Sequence, residues 1–116
     1  MDKQDLIAPL TAPTSPLGSL LAAYFNYDWD EDYESWQKVV AVFARDSKPG
    51  EADVAVSEID RLLANEATEE DLGWILKDGL HSGFVPSRNG MGNREAFQAI
   101  RDELRRQAEA RSGGQP

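Results

Sequence analysis

Ala52, Ala55, Val56, Ile59, Leu62 and Leu63 recur at steps of three and four residues, which is the signature of one buried face of an α-helix. This stripe constrains the fold more than any other stretch, because a strand would scatter the same residues over both faces. The helix opens at Ser47-Lys48-Pro49-Gly50-Glu51, where proline and glycine break the preceding element and Glu51 and Asp53 favour a helix N-terminus. Three other stripes have the same period. Leu17, Leu20, Leu21, Tyr24 and Phe25 predict a short first helix, and Trp36, Val39, Val40 and Phe43 a second from about Asp32 to Ala44. Phe97, Ile100, Leu104 and Ala108 predict a final helix, with Asn93 as its cap. Between them, Thr68-Glu69-Glu70-Asp71 reads as a capped start for Leu72, Ile75 and Leu76, with Gly79 as a left-handed stop.

From His81 to Asn93 the period fails. Gly83, Pro86, Asn89, Gly90 and Gly92 predict a loop, with a short extended piece at Phe84-Val85. The expected architecture is therefore all-α: a compact bundle of about five helices with a Gly/Pro/Asn-rich loop before the last. A chain of 116 residues is one domain. Pro9, Pro13 and Pro16 predict a flexible lead-in over residues 1–16, the helical domain spans 17–111, and 112–116 reads as a disordered tail.

The charge is uneven. Residues 1–80 hold 17 acids against 6 bases, residues 81–116 hold 4 against 6, and the whole carries a net −9. Such a field repels nucleic acid and attracts cationic protein surfaces. The arginines near the C-terminus alternate with Asp102, Glu103 and Glu109, so neighbouring-turn pairs on a solvated helix face account for them. The acidity is densest in Tyr24-Phe-Asn-Tyr-Asp-Trp-Asp-Glu-Asp-Tyr-Glu-Ser-Trp36, which interleaves six aromatic rings with five carboxylates and has no basic residue. A solvated connection between helices is the plain reading of such a run. A site for a basic protein partner is the other.

Catalytic and metal chemistry find little support. With no cysteine there is neither a disulfide framework nor a thiolate metal site. Asp28, Asp30 and Asp32 have the spacing that opens a calcium-binding EF-hand loop, but the required glycine and glutamate positions hold Tyr33 and Val39. No phosphate-binding or dinucleotide fingerprint occurs, so no metal and no cofactor is expected. His81 is the only histidine, and a place at a helix-to-loop junction fits a hydrogen bond to the last helical carbonyls better than catalysis. The residues before Leu17 lack the basic start and apolar centre of a signal peptide, and no apolar run spans a bilayer. The expectation is a cytoplasmic protein, monomeric when alone, with no membrane or direct nucleic-acid partner.

Tyr24-Phe25, then Asp28-Trp29, then Asp32-Tyr33, leading into an apolar helix and later Glu58-Ile59-Asp60-x-Leu62-Leu63, resembles the small helical immunity proteins of bacterial contact-dependent growth inhibition systems. The resemblance covers roughly residues 17–104. The departure lies in the last helix, where Ala96-Phe97 stands in place of a Trp-Leu pair, and Phe97 can fill the aromatic role. The resemblance implies a non-catalytic inhibitor that binds the C-terminal domain of a cognate toxin, often a nuclease. On that basis the expected partner-binding residues are Asp28, Trp29, Asp30, Glu31, Asp32 and Glu34, with Glu69, Glu70 and Asp71 as a second acidic patch. Trp29 is the best-placed ring to anchor a partner, although packing is its other open role and the favoured one. Two other functions remain in view. One is a helical adaptor for a basic protein that is not a toxin, and the other is a small hydrolase using His81.

Overall fold

In the computed structural model, which describes residues 3–65 and 67–113, the chain is all-helical. Its α-helices are α1 (Lys3–Ile7), α2 (Pro16–Ser19), α3 (Trp29–Asp32), α4 (Trp36–Asp46), α5 (Glu51–Ala64), α6 (Glu69–Trp74) and α7 (Asn93–Gly113). Both α2 and α6 widen into π-helical turns, Leu20–Tyr24 and Ile75–Gly79, and 3-10 turns cover Ala8–Thr11 and Pro86–Asn89. The four predicted stripes form the core: Leu17, Leu20, Leu21, Val39, Ala55, Ile59, Phe97, Ile100 and Leu104 are almost wholly buried. Helix α7 packs chiefly on α5 and α4, and α2 packs on α5. Phe97 is buried, as expected for the aromatic of the last helix.

The segment before Leu17 departs from the expected flexible lead-in. Its prolines do not prevent structure, because Pro9 and Pro16 each sit at the start of a helical turn, where the missing N–H is no loss. Leu6, Ile7 and Leu10 are buried in the common core. Helix α1 lies against the π-helical turn after α6, and the Ile7 side chain occupies the space a Cβ on Gly79 would need. Gly79 is therefore a close-approach residue; the left-handed stop falls instead on His81, with φ 51°. The His81 side chain is exposed, so the expected contact with helical carbonyls is replaced by a backbone role. At the other end, Ser112 and Gly113 continue α7, where a disordered tail was expected, and 114–116 lie outside the described residues.

Helix termini are joined by carboxylates reaching across the fold. Glu58 on α5 accepts the Ser15 hydroxyl proton at 2.5 Å and the Leu17 N–H at 3.0 Å, while Ser15 Oγ accepts from Gly18 N at 3.0 Å. The N-terminus of α2 is thus tied to the middle of α5 through a buried serine. Asp60, two residues on, pairs with Arg101 at 3.2 Å and Arg105 at 3.3 Å on α7. Ile59 and Leu62 between and beside them fill the core. The Glu-Ile-Asp-x-Leu-Leu string is therefore a three-way junction of α2, α5 and α7, and the arginines of α7 serve α5 as well as their own helix.

Removing Glu58 strands a buried hydroxyl and a helix N–H. Glu58→Ala is expected to lower stability by about 2–3 kcal/mol, and Glu58→Gln by less because one acceptor remains. Urea midpoints at constant m-value check this ordering.

Candidate protein-binding face

The acidic-aromatic run folds by sorting its rings from its carboxylates. Phe25 ends the π-helical turn of α2 and is fully buried. Asn26 then makes a tight turn, its side-chain oxygen accepting from Asp28 N at 2.9 Å. One turn of helix follows as α3, with Asp30, Glu31 and Asp32 at its start, where the helix dipole favours negative charge. The chain extends through Tyr33, and Ser35 caps α4 by accepting from Lys38 N at 3.3 Å. The predicted second helix thus begins at Trp36, later than the periodicity placed it.

Trp29 belongs to the core. Its ring is 8% exposed, lies edge-on to Phe25 at 5.4 Å, and donates its indole N–H to Gly83 O at 3.1 Å. Tyr33, Trp36 and Trp74 pack partly buried against the same core. The exposed ring of the run is Tyr27, at 72%, which sequence reasoning passed over. Its polar flanks, Asn26 and Asp28, give no local signal, since Trp29 between Asp28 and Asp30 has equally polar neighbours and is buried.

Asp28, Asp30, Glu31, Asp32 and Glu34 are all exposed, and among the described residues none of the five forms an ion pair. No three acidic or histidine side chains among the described residues are grouped to hold a metal. The second predicted patch is different. Glu69 spends its carboxylate on the start of α7, accepting from Asn93 N at 2.9 Å and Arg94 N at 2.7 Å, while Asn93 Nδ2 donates to Glu69 O. The cap expected from Asn93 is thus supplied from α6. Asp71 and Thr68 form a reciprocal capping box. Of that patch only Glu70 is left exposed without such a bond among the described residues.

Tyr24, at the base of the run, packs edge-on against Phe43 at 5.3 Å. Burial holds its phenol above the ordinary value, and Asp46, Tyr33 and Glu51 add to the shift against a smaller opposing effect of Arg45. The folded state thus keeps this proton at pH values where the unfolded chain loses it. Its contribution is complete below about pH 10 and fades as pH rises through the folded value. Tyr24→Phe is expected to flatten the alkaline loss of stability, read as thermal midpoints on a pH series. Trp29→Phe keeps the ring packing and loses the indole donor, leaving the partly buried Gly83 carbonyl without its partner; an expected cost of about 1 kcal/mol is checked by urea denaturation.

No single helix among the described residues is long and apolar enough to cross a membrane. No curated protein matches the chain. Among solved structures, a chain in the crystal structure of a CdiA-CT/CdiI complex from Y. kristensenii 33638 shares the fold, with a TM-score of 0.71 and 24% sequence identity over 77% of this chain and 95% of that one. Residues 14–104 match the family described as CdiI immunity protein, and the chain belongs to that family.

Proposed function

We propose that this chain binds the C-terminal domain of a cognate contact-dependent growth inhibition toxin, a nuclease, and neutralises it in the cytoplasm. Membership of an immunity family supports this reading, as does the likeness to a chain from a crystallised CdiA-CT/CdiI complex. The observation that carries the mode of binding is the run of five exposed carboxylates at 28–34 with no internal counter-charge among the described residues. A nuclease binds phosphates through Lys and Arg, so a protein of net −9 complements the surface that nucleic acid would occupy. Inhibition then follows from exclusion of substrate and requires no turnover. Glu69 and Asp71 hold helix starts, which leaves Asp28, Asp30, Glu31, Asp32 and Glu34 as the steering face, with Glu70 at the second site. The protein meets the toxin as a monomer.

The test is a binding titration with the C-terminal domain of the large exported protein encoded beside this gene, at two salt concentrations, with toxin activity read in parallel. Tight binding that weakens with salt and silences the toxin is expected. Reversing charge at Asp30 and Asp32 together should slow association by about tenfold at low ionic strength and flatten its salt dependence. Unchanged association kinetics would remove the 28–34 run from the interface.

A further inference from the structure

Only three large apolar side chains among the described residues stand well into solvent: Tyr27 at 72%, Val54 at 49% and Val85 at 39%. Val54 is on α5, whereas Tyr27 and Val85 flank a single seam. There the Gly83 N–H donates to Phe25 O at 2.6 Å, and a Cβ on Gly83 would lie 2.8 Å from the Tyr27 Cα. Val85 follows Gly83 by two residues, about 7 Å of extended backbone, and its own φ and ψ are extended. Phe84, between them, is buried and stacks at a tilt on Phe25 with centroids 4.9 Å apart. The two exposed side chains therefore rise from a seam whose underside is fixed by ring packing and by the Trp29 hydrogen bond.

Charge narrows what such a pair fits. Tyr27 adjoins Asp28 and precedes Asp30, Glu31, Asp32 and Glu34, none of them ion-paired among the described residues. A second copy of this chain would bring two such carboxylate runs together, and an anionic bilayer would meet the same repulsion. A cationic protein surface with an apolar recess satisfies both features. Resting on the function proposed above, we infer that Tyr27 and Val85 form the apolar anchor of the toxin complex, with the Tyr27 ring seated in a recess bordered by Lys and Arg and Val85 closing its edge. The carboxylates act at a distance and govern encounter; the anchor acts only at contact and governs residence.

Stopped-flow association and dissociation with the same toxin domain separate the two. Tyr27→Ala and Val85→Ser, in the full chain with folding verified by circular dichroism and urea midpoint, should leave association and its salt dependence as in the wild type. Dissociation should be about 30-fold faster for Tyr27→Ala, as expected for a buried aromatic hot spot, and about fivefold faster for Val85→Ser. Tyr27→Phe should restore the wild-type residence time, because the ring and not the hydroxyl fills the recess. Wild-type dissociation in Tyr27→Ala, or a Tyr27→Phe variant as fast as Tyr27→Ala, overturns the anchor while the toxin-binding reading stands. A wild-type chain that fails to bind the domain overturns both.

Discussion

The close crossing of Phe25–Tyr27 over Ser82–Phe84 is the contact on which the exposed face depends. Gly83 is required there because the Asn26 carbonyl occupies the space where any Cβ would stand. With the backbones in contact, the Gly83 N–H reaches Phe25 O and the Trp29 indole reaches Gly83 O, so each strand of the crossing satisfies a polar group of the other. Phe25, Trp29 and Phe84 then pack as one aromatic cluster beneath it. A run of five carboxylates would otherwise be an extended, self-repelling connection. Pinned at its aromatic residues, it becomes a turn and a short helix with its charges exposed around a fixed base.

The acids of this chain divide into two populations by what they touch. Glu58, Asp60, Glu69, Asp71 and Glu103 each accept from a helix terminus, a hydroxyl, an amide or an arginine, and so act as joints between helices or within them. Those at 28–34 make no such joints among the described residues. The partition matters energetically, since clustered unpaired carboxylates repel one another and a fold gains nothing by collecting them. The stabilising acids are spread over α5, α6 and α7, each bonded to a donor that it satisfies. Asp28, Asp30, Glu31, Asp32 and Glu34 are instead gathered within seven residues, and on the binding mode proposed above a cationic partner would relieve their repulsion.

Much of the fold was legible in the sequence because helical stripes depend on local spacing. The faces of α4, α5 and α7 were all recovered from apolar periodicity, and the Thr68 cap from residue type alone. What escaped was decided by partners distant in the chain. The prolines of 8–16 argued against structure, and nothing local reveals that Leu6, Ile7 and Leu10 find a surface on the π-helical turn after α6. Asn93 is an ordinary cap by type, yet Glu69 comes from 24 residues away to take the N–H groups instead. In the candidate face, composition located the acidic-aromatic run but could not sort its rings. Trp29 and Tyr27 sit two apart in the same polar context, and only the crossing with Gly83 buries one and leaves the other in solvent.

That sorting has a consequence for how such a surface can change. Trp29, Phe25 and Gly83 are each held by packing or by a close backbone approach, so substituting them disturbs the base on which the face rests. Tyr27, Val85, Asp28 and Glu34 are exposed and make no side-chain ion pair or ring contact among the described residues, so they contribute little to folding. Asp30, Glu31 and Asp32 add only the modest favourable effect of acids in the first turn of α3. Charge number and the exposed ring can therefore be altered with small effects on stability, as is usual for surface positions away from caps and cores. A scaffold built this way keeps its shape through the residues under the seam while those above it are free to follow a different partner. On the binding mode proposed above, specificity would reside in the part of the surface that the fold does not need.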